Sequence, residues 1–160
     1  MTFTEFEEFL QSPTCYWEHD VSYIDKDGLQ HLVSPDEFWS YQIQMARLIA
    51  EEECTIKIEQ MERYYGYKDR TVHLFYNPKF GPSFKIHTDP VHVMIECLAG
   101  SKSMEVDGVE IIFYPGDVIH IEAGTPHRAL NYEKALMASH GINDTETLSR
   151  IRENNGNVQP

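Results

Sequence analysis

Residues 116–131 read GDVIHIEAGTPHRALN, two short alternating segments on either side of a tight turn. DVIHIE and HRALNY alternate apolar and polar side chains, as half-buried strands do, and Gly124 punctuates them. The same period of two begins near residue 54 and recurs in CTIKIEQ, TVHLFYN, SFKIHTD, VHVMIECL, KSMEVDG, EIIFY and KALMASHG. Many short strands separated by glycine and proline turns predict an antiparallel sandwich or barrel.

The region before residue 54 has a helical pattern instead. Apolar residues at helical spacing predict a short amphipathic helix over residues 4–11. Residues 12–33 are predicted to be a loop with a hairpin around the sequence DKDG. Ser34 and Glu37 fit a capping box, which predicts a second helix over residues 34–53.

A chain of 160 residues is most simply one domain. We expect residues 1–53 to form a helical buttress, residues 54–141 the barrel core, and residues 142–160 a C-terminal tail with a frayed end. The fold class predicted from these patterns is mostly β with flanking N-terminal helices.

Composition excludes several function classes. Lys plus Arg is 13 and Asp plus Glu is 26, so the formal charge is −13, and a broad basic face for nucleic acid is not expected. Three cysteines, Cys15, Cys54 and Cys97, lack the spacing of a disulfide framework or zinc knuckle, which favours reduced thiols in the cytoplasm. No secretory signal and no membrane span are indicated.

His87, Asp89 and His127 are the candidate metal ligands. His87 and Asp89 lie two residues apart near a predicted strand, so their side chains project to the same side, and Pro90 disfavours helix at Asp89. Two imidazoles and one carboxylate can occupy one face of a metal ion and leave positions open for a ligand and dioxygen. This pattern predicts a mononuclear iron site. The alternative is unrelated polar residues near loops, because H-x-D also arises by chance.

Lys102 is the candidate anion-binding residue. Alternation over residues 101–107 places it with Met104 and Val106 on the apolar side of a strand. A buried ammonium group is costly unless a negative partner neutralises it, and the carboxylate of a bound ligand would be such a partner. The alternatives are a lysine that reaches solvent at the strand end and one that pairs with an internal acid.

Both motif regions resemble the cupin superfamily. The second cupin signature, G-x5-P-x-G-x2-H-x3-N, is matched by Gly116, Gly124, His127 and Asn131, with Glu122 in place of the usual proline. Upstream, Gly81 followed after five residues by His87-x-Asp89 resembles the first signature, with Asp89 replacing the second histidine. Val93 and Met94 stand where the usual glutamate ligand would be.

A three-ligand H-x-D…H set is similar to that of jumonji-type 2-oxoglutarate oxygenases, which share the double-stranded β-helix of cupins. Lys102 stands thirteen residues after Asp89, where asparaginyl hydroxylases of this type carry a lysine that pairs with the distal carboxylate of 2-oxoglutarate. The resemblance covers roughly residues 70–140. It implies Fe(II) as the metal and 2-oxoglutarate as the cosubstrate.

Several further roles are implied by the same resemblance. Phe84 stands where the family often has a Thr or Tyr for the cosubstrate, so Tyr76 or Tyr114 is expected to supply a hydroxyl, unless both are core aromatics. Asn131 is expected to close a turn or hold a ring nitrogen near the metal. His92 is an alternative ligand, although alternation also fits a surface or satisfied histidine there.

The expected function is Fe(II)- and 2-oxoglutarate-dependent oxygenation, most often hydroxylation, of a protein side chain, a peptide or a small molecule. One alternative is a cupin metalloenzyme that works without 2-oxoglutarate, such as a small-molecule dioxygenase or isomerase. A second is a non-catalytic cupin that binds a metabolite or a partner. In related enzymes extra helices buttress the barrel or mediate dimerisation, so a homodimer is one arrangement that the resemblance implies.

Overall fold

A computed structural model describes residues 1–25, 27–32, 55–78, 83–130 and 132–154. Within them lie four helices, at Phe3–Leu10 (α1), Trp17–Asp20 (α2), Met61–Tyr65 (α3) and Thr145–Asn154 (α4). The strands are Val21–Ile24 (β1), Gln30–Leu32 (β2), Thr55–Ile58 (β3), Thr71–Asn77 (β4), His92–Gly100 (β5), Lys102–Val106 (β6), Val109–Phe113 (β7), Val118–Ile121 (β8), His127–Ala129 (β9) and Ala135–Ile142 (β10).

The strands form two antiparallel sheets. The larger sheet has the order β2-β1-β3-β4-β10-β5-β8, and the smaller has the order β7-β6-β9. Strand β10 is paired along its length with both β4 and β5, so it lies in the interior of the larger sheet. The architecture is therefore mostly β, as the alternating pattern predicts.

Alternation along the strands divides the apolar residues between two sides of the larger sheet. One set fills the space between the sheets, where Ile95 of β5 and Met137 of β10 pack with Met104 of β6 and Phe113 of β7. Burial of this set from both sheets is what holds the sheets face to face. The space between the sheets is where the candidate site lies.

The other side of the larger sheet is covered by α1. The Thr2 hydroxyl caps this helix by accepting from the Glu5 amide at 3.1 Å. Phe6, Phe9 and Leu10 then pack in one cluster with apolar side chains of β3, β4 and β10. Helix α1 therefore stabilises the back of the sheet and leaves the space between the sheets open.

Some of the local predictions are confirmed and others are wrong. The helix over residues 4–11 is α1, one residue earlier, and the DKDG hairpin is β1–β2, with Ile24 opposite Gln30. The segment SFKIHTD was wrongly predicted as a strand, because its pairing is limited to one isolated bridge at His87. Helices α2, α3 and α4 were not predicted from the sequence, since residues 12–33 were expected to be loop and hairpin and residues 142–160 a tail.

The remaining local predictions concern a second helix, the cysteines, two motif residues and the absence of a membrane span. The helix expected over residues 34–53, with its cap at Ser34, lies outside the described residues, as do Cys54, Gly81 and Asn131. Cys15 and Cys97 are buried free thiols. None of the helices in the described ranges is both long enough and apolar enough to cross a lipid bilayer.

Candidate metal centre and cavity

Main-chain pairing joins the two sequence segments that carry the candidate ligands. The His87 amide donates to the His127 carbonyl at 3.0 Å, and the His127 amide donates to the His87 carbonyl at 2.9 Å. Next to this bridge, the Gly124 amide donates to the Asp89 carbonyl at 2.9 Å. Three hydrogen bonds therefore hold residues about forty positions apart in sequence side by side.

The side chains of His87, Asp89 and His127 converge on one point. One ligand atom from each lies within 4.8 Å of the other two. Asp89 Oδ2 is 3.0 Å from His127 Nε2 and 4.0 Å from His87 Nε2. The structure thus brings together the three residues that the sequence singled out.

The outward nitrogens of both imidazoles are fixed by backbone carbonyls. His87 Nδ1 lies 2.8 Å from the Lys85 carbonyl, and His127 Nδ1 lies 2.9 Å from the Thr125 carbonyl. A carbonyl oxygen can only accept, so each Nδ1 carries the hydrogen and each Nε2 of the neutral ring keeps its lone pair. This is the arrangement in which imidazoles ligate metals, and both lone pairs belong to nitrogens beside Asp89. The residues therefore fit a divalent cation.

One side of this cluster is open. The His127 side chain is only 5% exposed, whereas those of His87 and Asp89 are 40% and 36% exposed. A ligand set of two nitrogens and one carboxylate oxygen suits iron, manganese or a similar first-row ion and does not complete its coordination. The arrangement could therefore hold a metal and still admit another molecule.

The cluster lies at a cavity of about 190 Å³ between the two sheets. Side chains from β3, β4, β5, β6, β9 and β10 line it, so both sheets contribute. Its size is below the roughly 300–1,000 Å³ usual for drug-sized ligands, which favours a small metabolite. Besides the three candidate ligands, its polar lining consists of Thr55, Lys57, His73, Ser83, Lys102 and Ser139.

Lys102 lines this cavity and is only 1% exposed. Its Nζ donates to Asn77 Oδ1 at 3.2 Å, and Asn77 Nδ2 in turn donates to Thr55 Oγ1 at 2.5 Å. Met104 and Val106 are equally buried, so the side predicted by alternation is confirmed. Burial lowers the pKa of Lys102 to about 7, because removal from water disfavours the ammonium form. A bound anion would restore that charge.

Two cavity residues were not found from the sequence. Lys57 of β3 has a side chain only 11% exposed, and its Nζ lies 3.0 Å from Glu59 Oε1 and 5.5 Å from the centre of the Phe84 ring. His73 of β4 also lines the cavity, and burial lowers its pKa, with the charge of Lys57 adding to the effect. Alternation was the available signal, since these residues share the strand side opposite to Ile56 and Leu74.

Tyr76 and Tyr114, the expected hydroxyl donors, do not line the cavity. Tyr76 is buried on the opposite side of the larger sheet, in contact with Phe6 of α1, and its hydroxyl donates to Glu7 Oε1 at 3.2 Å. Tyr114 is 57% exposed beyond the end of β7. Neither tyrosine therefore has the expected role beside the cosubstrate, because the alternation of β4 points Tyr76 away from the site and Tyr114 lies at the surface. Asn131 lies outside the described residues.

Phe84 and His92 have clear positions. Phe84 lines the cavity and presents an apolar ring there. His92 is 6% exposed, and its Nε2 lies 3.0 Å from His120 Nδ1. It is not among the cavity residues, which excludes it as a ligand in this metal cluster and corrects that alternative.

Two facing antiparallel sheets with a His–Asp–His cluster in the cavity between them define a cupin barrel with a candidate metal centre. Residues 70–138, from the start of β4 into β10, match the family model described as Cupin domain. The predicted fold class, a double-stranded β-helix of the cupin type, is confirmed. The family model is broader than the jumonji-type oxygenases, so the match does not indicate the reaction.

Several solved structures are similar in fold. A conserved protein of unknown function from Streptococcus pyogenes is 20% identical over 59% of this chain and 78% of its own, with a TM-score of 0.49. The polyketide cyclase RemF from Streptomyces resistomycificus is 19% identical over 56% and 66%, with a TM-score of 0.48. A cupin superfamily protein from Desulfitobacterium hafniense DCB-2 is 22% identical over 49% and 72%, with a TM-score of 0.43. No curated protein matches the chain.

Proposed function

We propose that this protein is a mononuclear metalloenzyme in which His87, Asp89 and His127 hold a divalent cation. The observation that carries the proposal is the convergence of the three ligand atoms within 4.8 Å, with both Nδ1 atoms held by carbonyls. A ligand set of this kind leaves coordination positions open for a substrate. The metal-ion affinity of the protein is therefore its first test.

The particular reaction that we propose is Fe(II)- and 2-oxoglutarate-dependent oxygenation. When bound, Fe(II) would supply the redox chemistry with dioxygen that no protein side chain provides. Support comes from Lys102, a nearly inaccessible ammonium group in the same cavity as the metal cluster. A dicarboxylate that reaches from the cluster to Lys102 would compensate the cost of burying this cation.

The protein's own residues would bind and orient this cosubstrate. Lys102 would pair with its distal carboxylate, while Asn77 keeps Nζ in place through the 3.2 Å hydrogen bond. Ile95, Met104 and Met137 line the cavity and would exclude water around the chain of the bound acid. The described residues would therefore orient the cosubstrate and exclude water from it.

The alternative is a cupin metalloenzyme that does not use 2-oxoglutarate, such as a small-molecule dioxygenase or an isomerase. Phe84 favours this alternative, because an apolar ring replaces the hydroxyl that related oxygenases offer to the cosubstrate. In that case the metal and Lys102 would bind the substrate itself. A non-catalytic metabolite-binding cupin would show ligand binding that does not require the metal.

Calorimetry on the manganese-loaded protein separates these possibilities, with Mn(II) replacing Fe(II) so that no turnover occurs. We expect 2-oxoglutarate to bind the wild type and to bind Lys102→Met at least tenfold more weakly, while Mn(II) affinity is unchanged. Lys68→Met, at an exposed lysine, is the matched control and should behave as the wild type. Succinate formation with oxygen consumption in the iron-loaded protein then identifies the oxygenase.

The outcomes are distinct. Absence of Mn(II) binding to the wild type contradicts the metalloenzyme itself. Binding of Mn(II) without binding of 2-oxoglutarate contradicts the oxygenase and leaves the 2-oxoglutarate-independent enzyme. Equal 2-oxoglutarate affinity in wild type and Lys102→Met removes Lys102 from the site.

A further inference from the structure

The cavity is cationic although the chain is strongly acidic. The chain as a whole has a formal charge of −13. Among the described residues that line the cavity, however, two are lysines, Lys57 and Lys102, and Asp89 is the only carboxylate. Both lysine side chains are largely removed from water, so their charges act across the cavity with little screening. The cavity is therefore suited to anions.

Lys57 and Lys102 enter the cavity from different sheets. Lys57 lies in β3 of the larger sheet, and Lys102 lies in β6 of the smaller sheet. Lys102 donates to Asn77, whereas Lys57 pairs with Glu59 and packs beside the Phe84 and Phe75 rings. The two ammonium groups thus have separate surroundings and can serve separate ligand groups.

The side chain of Lys57 is held in place, and its ammonium group has more donor hydrogens than Glu59 uses. Its Nζ lies 5.5 Å from the Phe84 ring centre and 5.9 Å from the Phe75 ring centre, which restricts the side chain. An ammonium group has three donor hydrogens, and Glu59 needs one of them. Glu59 does not line the cavity, and its side chain is 34% exposed. A second acceptor inside the cavity can therefore bind Lys57.

We infer that the substrate is a small organic acid and that Lys57 binds its carboxylate, with Phe75 and Phe84 as the apolar wall beside it. The inference rests on the proposed function, whose substrate class it names. Lys57 is then a specificity-determining residue, and Lys102 serves the cosubstrate.

The test uses the full chain loaded with Mn(II), with and without saturating 2-oxoglutarate. The probes are propionate, benzoate, 3-phenylpropionate and L-proline, each beside its primary amide, with dissociation constants from ligand-observed NMR. We expect at least one acid to bind tenfold or more tightly than its amide. Lys57→Gln should abolish that preference, Lys57→Arg should retain most of it, and neither should change Mn(II) affinity.

Each other outcome overturns the inference. Equal affinity for acid and amide, or an acid preference that persists in Lys57→Gln, removes Lys57 as the selecting residue. If none of the acids binds at about 10 mM, a concentration above the dissociation constants of even weak specific ligands, the substrate class is wrong. Loss of 2-oxoglutarate binding in Lys57→Gln as large as in Lys102→Met would assign Lys57 to the cosubstrate. A failure of the proposed function appears separately, in the wild-type affinities for Mn(II) and 2-oxoglutarate.

Discussion

His87 and His127 are joined through their main chains, with reciprocal amide-to-carbonyl hydrogen bonds of 3.0 and 2.9 Å and ring centres 4.5 Å apart. Because the backbone sets this spacing, the imidazoles do not have to find each other through their side chains. A ligand can therefore be removed without removing the framework that places the others. This separation of framework from ligands makes the metal centre testable by substitution.

His127→Ala should reduce Mn(II) affinity by more than about 100-fold, since even loss of a residue that only supports a ligand costs about 10–100-fold. The metal-free protein should unfold with a free energy within about 2 kcal/mol of the wild type, because the backbone bridge remains. Electron paramagnetic resonance of free Mn(II) gives the affinity, and urea unfolding gives the stability.

His73→Ala is the matched control for that variant. His73 lines the same cavity but is not in the metal cluster, so its removal should leave Mn(II) affinity within about twofold. Equal losses in the two variants would mean that any cavity histidine supports the ion and that the three-residue ligand set is wrong.

Lys102 should make the ligand-free protein more stable as the pH rises from about 7 to about 10.5. Burial lowers its folded pKa from 10.5 to about 7, so in this window the unfolded chain binds the proton and the folded chain does not. Stability therefore increases with pH, by up to about 1.4 kcal/mol per pH unit. Urea unfolding at pH 7, 8 and 9 measures the slope.

Lys102→Met should flatten that slope and should be at least as stable as the wild type at pH 7, because a thioether fills the space without a charge. The same variant should lose 2-oxoglutarate binding. A wild-type slope that persists in Lys102→Met would assign the titration to another group.

Local spacing predicts His87 and Asp89 together, whereas His127, forty residues later, was indicated by the resemblance to the second cupin signature. A spacing of two places His87 and Asp89 on the same side of extended backbone, and alternation places Lys102 inward. Neither rule identifies which strands face each other across a cavity. Lys57 and His73 come from β3 and β4, which pair with each other but face the later strand β6 across the cavity, so no local motif places them at the site.

The failed predictions have equally specific causes. Tyr76 is a core aromatic, the alternative to its expected role, because both sides of the larger sheet are apolar and Tyr76 faces α1 and not the cavity. The segment around His87 alternates like a strand, yet its main chain bonds only to His127 at the start of β9 and to Gly124 in the turn before it, without a continuous ladder. Helix α3 has only five residues, too few for a helical period to stand out.

His92 and His120 should make the protein less stable as the pH falls below about 6.5. His92 Nε2 lies 3.0 Å from His120 Nδ1, and the two residues are 6% and 7% exposed, with Glu122 and Arg152 beside them. Burial lowers both pKa values, and the nearby positive groups help to bring that of His120 to about 4. Between pH 6.5 and 4 the unfolded rings bind protons that the folded rings do not, so stability is lost as pH falls.

Urea unfolding at pH 7, 6 and 5 measures this loss, which is at most about 1.4 kcal/mol per pH unit for each histidine. His120→Gln keeps a polar group opposite His92 but does not titrate, so its stability should fall less steeply with acid. Above pH 7 the difference between variant and wild type should be constant. An unchanged acid slope in His120→Gln would show that this pair is not responsible.

Gly100 fixes the entry to β6 and thereby the position of Lys102. Its φ is +75°, and a Cβ there would meet the Lys134 carbonyl oxygen and lie 2.9 Å from Phe3 Cζ. Gly100→Ala should therefore cost about 3 kcal/mol or more, from the left-handed backbone and the clash together. That corresponds to a fall in Tm of roughly 10 °C, measurable by calorimetry.

Gly108→Ala separates the clash from the backbone effect. Gly108 has a φ of +80°, but a Cβ at this position meets nothing within 4 Å. Its alanine variant should cost only about 1 kcal/mol, from the backbone conformation alone. Because Lys102 follows Gly100 by two residues, folded Gly100→Ala should also bind 2-oxoglutarate more weakly than Gly108→Ala. Similar Tm losses and similar affinities in the two variants would refute the role assigned to Gly100.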